Sequence, residues 1–478
     1  MGRLNFYTTE TNYNTSKNSF DYPTVAYVDE TEEVKWMSIQ DKYAREYLTF
    51  KALEGGTISF NIWRSMGTDM ITSISYSTDN GQTWTTTNNT DNKSEHLVID
   101  VNVNQGDKVL WKGIATQTGY YDEDDYGDYV GSFFSSDCEF NAYGNVMSLL
   151  YGDNFYSNKN LGNTDGTFTK LFHDYDGEKT CEVVSAQNLM LPATTLQPYC
   201  YDYMFYGCTS LTTAPELPAT TLANSCYSNM FDGCTALTTA PELPATTLAQ
   251  YCYEYMFNRC TSLTTAPVLS ATTLAERCYQ GMFSGCTSLT TAPVLPATTL
   301  AERCYSNMFD GCTALTTAPE LPATTLKESC YYSMFDGCTA LTTAPELPAT
   351  TLAQYCYQYM FRGCTALTTA PELPATTLAS NCYNSMFYGC RSLTTAPVLP
   401  ARTLVSNCYS YMFQNCNTLN YIKAMFTTEP STRYTKTWVS GVAASGTFVK
   451  NSAANWNVTD VTGVNGIPTG WTVETASA

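Results

Sequence analysis

Positive charge is scarce in this 478-residue chain: 24 Lys and Arg stand against 44 Asp and Glu, a net charge of −20. Nucleic acid and anionic membrane surfaces are held by basic patches, so this balance argues against both as partners. Histidine is rarer still. The two present, His96 and His173, fall in different stretches, and neither has a nucleophile motif such as G-x-S-x-G around it. A P-loop, a dinucleotide-binding glycine pattern and a His-containing metal motif are all missing, so no cofactor and no metal ion is expected. Carboxylates are too numerous on such an acidic chain for a pair of them to mark a glycosidase site. The chain reads as a non-enzyme. No stretch approaches the roughly 18 apolar residues of a membrane-spanning helix. The opening MGRLNFYTTETNYN lacks the basic and apolar regions of a secretory signal, so the chain is not expected to enter the general secretory route alone.

What the chain has instead is repetition. From about residue 191 to 416 one 26-residue unit recurs nine times without a register slip, as in LPATTLANSCYSNMFDGCTALTTAPE from Leu217 to Glu242. Its Met-Phe pair returns from Met204-Phe205 to Met412-Phe413. A fixed period of this length is the signature of a solenoid, whose units bury their apolar faces only against their neighbours. Within Leu222 to Cys234 the apolar positions are Leu222, Cys226, Tyr227, Met230, Phe231 and Cys234. These steps of four, one, three, one and three predict one face of an α-helix. LTTAP then reads as a short strand stopped by Pro241. Strands stack roughly 4.8 Å apart and packed helices about 8–10 Å, so such rungs are expected to fan into a curve with strands on the concave side.

The chain has 20 cysteines, of which 18 lie in the repeats, two per unit. On the helical reading the two in one unit stand about 12 Å apart, and equivalents on adjacent helices about 8–10 Å, both beyond the roughly 7 Å limit for a bridge. They read as two ladders of buried thiols rather than disulfides, and without CxxC spacing a metal array is not favoured.

The stretch MFDGCTALTTAPELP followed by ATTLA resembles the BspA-like subtype of leucine-rich repeat, with its Gly-Cys, Ser-Leu-Thr and Ile-Pro pattern. Met stands where that family has Ala, and each strand carries an additional Pro, departures that bear on rung geometry. The resemblance covers roughly residues 167–425. The family is typical of surface proteins of Bacteroides-type bacteria and of other adhesins, and similar repeats occur in phages of such hosts. It implies adhesion or partner binding, not a reaction.

The remaining chain divides by composition. Residues 1–44 are polar and end in a hairpin pattern, Thr24–Val28 and Glu33–Met37, a candidate anchor to a larger assembly. Residues 45–165 alternate in the β manner and predict a sandwich. Ser77 to Trp84 there matches the Asp-box pattern S-x-D-x-G-x-x-W, which reads as a structural turn. The acidic run Asp122 to Asp125, with Asp128, lacks the closing Glu of an EF-hand and reads as a solvated loop. Residues 166–190 form an irregular first rung with Leu171-Phe172 in the Met-Phe place, and 426–478 a small β-rich cap. The fold expected is therefore α+β: an N-terminal β-sandwich, a curved solenoid of nine strand-turn-helix units over 191–425, and the cap.

Comparing the nine copies with one another locates a candidate site. Core positions are nearly letter-identical, whereas four positions, at −1, +2, +3 and +6 from the first cysteine, vary. On the helical reading they share the face opposite the core. Their alphabet is Tyr, Ser, Asn, Asp, Gly and Arg, that of antibody paratopes, where drift alone would favour Ala, Lys and Glu. The candidate ligand-binding residues are Tyr199, Tyr203, Tyr206, Tyr251, Tyr255, Arg277, Arg303, Tyr355, Tyr359, Arg362, Tyr388 and Tyr411. Paired threonines such as Thr212-Thr213 suggest an ice-matching surface, but adjacent strand residues point oppositely, which argues against it. The function expected is recognition of a host-surface glycan or protein, on a phage virion fibre or decoration protein that meets other virion proteins through its N-terminal region. A bacterial cell-surface adhesin and a structural spacer are the alternatives. A homo-oligomer fits a fibre, though no heptad specifies one.

Overall fold

The computed structural model describes residues 6–7, 24–28, 34–62, 71–88, 97–116, 118–122, 128–162, 164–174, 180–460 and 465–476. His96 and the centre of the acidic run, Glu123 to Asp125, lie outside them. Strands β1 (Phe6–Tyr7), β2 (Thr24–Val28) and β3 (Val34–Ser38) form an antiparallel sheet, and helix α1 (Ile39–Ala44) follows.

The next strands are β4 (Leu48–Ala52), β5 (Gly56–Ile62), β6 (Ile71–Ser77), β7 (Thr85–Asn88), β8 (Leu97–Val103) and β9 (Lys108–Ala115). After them come β10 (Gly119–Asp122), β11 (Asp128–Gly131), β12 (Phe133–Ser136), β13 (Phe140–Asn145), a short helix α2 (Ser148–Tyr151) and β14 (Val183–Met190). One sheet runs β14-β13-β4-β9-β6-β7, the other β12-β5-β8. Alternation places them: in β8, Ile99, Val101 and Val103 are buried while Asp100 and Asn102 face out. Phe50, Phe60, Trp111 and Phe134 meet between the sheets with centroids 4.5–6.3 Å apart. The Asp-box stretch turns between β6 and β7. Asp79 Oδ1 accepts from the Thr83 N–H at 2.9 Å and from Ser77 Oγ at 2.7 Å, and Trp84 packs on Tyr47.

Strand β14 belongs to two structures at once. It pairs in parallel with β13, and its Ser185 bridges Thr213 of the first repeat. The edge of the sandwich is thus the first strand of the repeat stack, and one hydrophobic core runs from Leu48 to Trp471.

The repeats contain no α-helix among the described residues, which corrects the strand-turn-helix expectation and the α+β class built on it. The hydrogen bonds explain why. From Ser225 to Cys234 alternate N–H groups behave differently. Those of Cys226, Ser228, Met230, Asp232 and Cys234 close tight turns onto the carbonyl three residues back. Those of Ser225, Tyr227, Asn229, Phe231 and Gly233 bond instead to carbonyls of the next unit, at Gln250, Cys252, Glu254, Met256 and Asn258. A helix would use every N–H within itself. Here half of them tie one rung to the next, and the backbone account still closes.

These ties set the rung spacing. Tyr201 through Tyr409, one per unit, stack with centroids 5.7–5.9 Å apart and planes within 12°. Phe205 through Phe413 form a second stack at 5.5–5.8 Å. The 8–10 Å width expected of helices is absent, and with it the reason for a strong outward fan. On the other side isolated parallel bridges join Thr239 to Thr265 and Thr299 to Thr325, among others. Both members of the threonine pairs from Thr238-Thr239 to Thr394-Thr395 are exposed, not one of the two as strand alternation suggested, while Thr213 of the first pair is half-buried. Hydroxyls such as those of Thr264 and Thr368 bond the carbonyl one rung back, so they serve the stack.

All 20 cysteines are free and buried. The helical distances that argued for this were wrong, but the thiols have a packing role. Those of Cys234, Cys260, Cys286, Cys312 and Cys338 each donate to the Phe carbonyl of the preceding rung at 3.1 Å.

Both ends continue the stack. Phe168 lies parallel to Tyr201 at 6.0 Å and Phe172 to Phe205 at 4.8 Å. At the other end the N–H groups of Tyr409, Tyr411, Phe413 and Asn415 bond to Tyr434, Lys436, Trp438 and Ser440, so residues 434–440 lie as a further rung. Strands β15 (Tyr421–Ala424), β16 (Thr447–Asn451) and, past the short pair β17 (Thr459–Asp460) and β18 (Ile467–Pro468), β19 (Thr472–Ala476) extend the parallel ladder.

Candidate functional site

The four variable columns are not the outer face of a helix. Columns −1 and +3 are corners where the backbone turns left-handed: every member, from Tyr199 and Tyr203 to Asn407 and Tyr411, has φ between 51° and 60°. A third corner, at +7, is glycine in seven of the nine units, from Gly207 to Gly389. The left-handed region costs residues other than Gly roughly 1–2 kcal/mol, least for Asn. Part of the variable alphabet is therefore a backbone requirement: Asn229, Gly281, Asn307, Asn381 and Asn407 suit their corners. Tyr and Arg do not. Their presence at Tyr199, Tyr203, Tyr251, Tyr255, Arg277, Arg303, Tyr355, Tyr359 and Tyr411 opposes the local backbone preference.

None of the twelve candidate residues is buried: Arg303 and Arg362 are exposed and the other ten half-buried. Small members of the same columns, such as Ser225, Asn229, Ser329 and Ser385, are covered. The large side chains gather into separate groups along the stack. In the first, Tyr203 and Tyr206 rings meet at 5.2 Å, and Arg259 Nη2 donates to Tyr206 Oη at 3.0 Å while pairing with Asp232 at 2.9 Å. In the second, Gln280 donates to Tyr255 Oη at 3.1 Å, and Arg277 lies over the Tyr251 ring at 5.3 Å. Gly281 makes room there, since a Cβ at that position would stand 2.1 Å from Tyr255 Cε1.

Two clefts follow. One of about 450 Å³ is lined by Gln280, Arg303, Ser306, Asn307, Ser329, Tyr332, Tyr355 and Gln358. The other, about 760 Å³, takes Tyr359, Arg362, Tyr388 and Tyr411 together with Asp336, Ser385, Arg391, Gln414 and Asn415. Arg362 pairs with Asp336 and lies over Tyr359 at 4.7 Å, and Asn415 donates to Tyr388 Oη at 3.0 Å. Arg259 and Asn415 are not among the candidate residues that the variable columns supply. Their signal was there, because they are the two residues that interrupt the glycine column at +7.

The electrostatics of this face come from partial burial. Glu254 is raised to about 7, chiefly by desolvation, with Arg277 opposing and Glu276 adding. Asp310 is raised to about 6, again by burial first and then by Asp336, against Arg362. His173 is lowered to about 4 by burial and Lys170, and its ring packs on Tyr206 at 4.6 Å. Among the described residues no group of three or more His, Cys, Asp or Glu is placed to hold a metal ion, and no helix is long and apolar enough to cross a membrane.

No curated protein and no solved structure matches the chain. A family model does: the BspA type leucine rich repeat region, in six copies over residues 181–316 and 324–431. The matched segments make up just over half of the chain and include both clefts and every candidate residue. With its period, its cysteine and aromatic columns and its threonine ladders so accounted for, the chain belongs to the BspA type leucine-rich-repeat family.

Proposed function

We propose that this chain is a non-enzymatic adhesion protein that recognises a host-surface glycan or protein through the tyrosine- and arginine-bearing corners of its repeats. Repeats of this type are typical of surface proteins, which supports the class. The observation that carries the reading is the conflict at columns −1 and +3. Half-buried Tyr and Arg277, with the exposed Arg303, occupy left-handed positions that Asn or Gly fills at lower cost, beside buried columns that hardly vary. Locally unfavourable residues kept on a surface are a sign of use rather than of folding. Tyr offers wide amphipathic contact at little entropic cost, which suits either ligand class.

The carrier proposed is the virion of a phage infecting a Bacteroides-type host, with the sheet β1-β2-β3 and its neighbourhood meeting other virion proteins. The alternative is the surface of the bacterium itself. Mass spectrometry of purified virions and of cell envelopes decides between them by where the chain is found. For recognition, the full chain is compared with a variant in which Tyr199, Tyr203, Tyr251, Tyr255, Tyr355 and Tyr359 are all Ser. Loss of binding to intact gut anaerobes, with thermal unfolding unchanged or improved, is the expected result. Equal binding by the two proteins rejects the corner columns as the recognition surface.

A further inference from the structure

Resting on that reading, we infer that the cleft around Arg303 takes an acidic saccharide and holds its carboxylate with the Arg303 guanidinium. The three other arginines at the variable and glycine-column positions are occupied. Arg259 pairs with Asp232 at 2.9 Å, Arg277 stands 3.9 Å from Glu276, and Arg362 pairs with Asp336. Arg303 has no ion pair and no side-chain hydrogen bond with a described residue, although Glu302 precedes it and Glu328 sits one rung on. It is exposed, it lines the 450 Å³ cleft, and its φ of 53° is one that the fold would fill better with Asn.

Position adds to the case. Arg277 and Arg303 are equivalent corners of adjacent units, their N–H groups bonded to Glu302 and Glu328 of the following rungs. Two guanidinium side chains on neighbouring rungs repel each other, and the chain has 44 acidic residues from which to supply a partner. The surrounding side chains complete a sugar site. Tyr332 and Tyr355 line the cleft as aromatic surface for the C–H side of a pyranose, and Asn307 supplies an amide that can both donate and accept for hydroxyls, while the amide N–H of Gln280 is held by Tyr255 and the side-chain oxygens of Gln280 and Gln358 are covered. A planar guanidinium matches a carboxylate with two parallel N–H···O bonds, which lysine cannot reproduce. On a chain of net charge −20 the long-range field repels anions, so an acidic ligand is selected by contact in this cleft, not by steering.

The test uses the full chain and immobilised polygalacturonate, polyglucuronate and polysialate, each beside its carboxyl-reduced neutral form, with dextran sulfate as a further arm. The expected result is that at least one acidic polymer binds at least tenfold tighter than its reduced form. Arg303→Gln then removes that preference, and Arg303→Lys restores only part of it. The Arg303 side chain is exposed and has no partner among the described residues, so both variants are expected to fold, which circular dichroism checks. The inference is overturned if no acidic polymer is preferred over its reduced form, or if Arg303→Gln binds like the parent. Preference for dextran sulfate over every carboxylated polymer also overturns it. If the tyrosine variant still loses cell binding in those cases, the adhesion reading stands and only the ligand class falls.

Discussion

At each left-handed corner a side chain chosen for the surface is held by a backbone that would prefer another. Replacing the surface residue with one the backbone prefers should therefore stabilise the protein. Arg303→Asn is the cleanest case, because the arginine side chain has no partner to lose among the described residues, and it is expected to raise unfolding free energy by about 1 kcal/mol. Urea unfolding at equilibrium measures this, and an unchanged or lowered midpoint would contradict it. Gly281 is the opposite case. Its φ of 60° and the Tyr255 ring over it both exclude a side chain, so Gly281→Ala should cost about 1–2 kcal/mol and displace the ring. The Gln280–Tyr255 hydrogen bond would be lost with it. If Gly281→Ala unfolds at the parental midpoint, the ring is not seated as described.

Among the elements, the thiol column shows how small groups fix the spacing of rungs. Cys312 reaches the Phe283 carbonyl of the previous rung at 3.1 Å. Cys312→Ala removes that donor and some packing, and is expected to cost about 1–2 kcal/mol, while Cys312→Ser keeps a donor and should cost less. Thermal unfolding of the two variants tests the order. The column also bears on what the sequence could reveal. Period, core columns and the thiol ladders were legible, since burial repeats letter by letter. The helix was misread because a chain of tight turns with a left-handed corner every fourth residue places Tyr227, Met230, Phe231 and Cys234 on one side, as a helix does. The distinguishing signal lay at Ser225, Asn229 and Gly233, four residues apart, where a helix would favour Ala, Glu or Lys. On the helical reading, the variation at Ser225 and Asn229 points either to recognition or to free drift of an exposed face, and not to the backbone. The Asn and Gly among the variable residues answer to the backbone, and only the Tyr and Arg point outward to a ligand. Which of them share a cleft was not legible, because that depends on neighbouring rungs and on which small residues lie between.

For the molecule as a whole, burial of so many weak acids makes alkali the vulnerable side. Burial pushes the thiols of Cys226, Cys278, Cys312, Cys330, Cys408 and Cys416 from 9.0 up to about 12. The stacked tyrosines, Tyr227 among them, rise well above their usual 10.0 for the same reason. In the unfolded chain these groups ionise near their ordinary values, so the unfolded state releases protons first. Stability is then intact below about pH 9 and falls steadily as pH rises towards 12. Circular dichroism melts at pH 8, 9, 10 and 11 should show the midpoint dropping at every step above pH 9. A level midpoint across that range would mean that the columns are not buried as described.

The ties between rungs run through main-chain atoms at the same positions in every unit. Any unit can follow any other without a new interface being invented. The units are nearly identical in amino-acid sequence, and a recombination between two of them in register would add or drop 26 codons. Removing residues 295–320 should accordingly leave a folded protein with one rung fewer, whereas removing half as many residues should not. Each such event would bring different corners side by side on an unchanged frame, so a lineage carrying this gene can alter what its surface meets by shuffling whole cassettes, with no need to wait for point mutations that the core must tolerate.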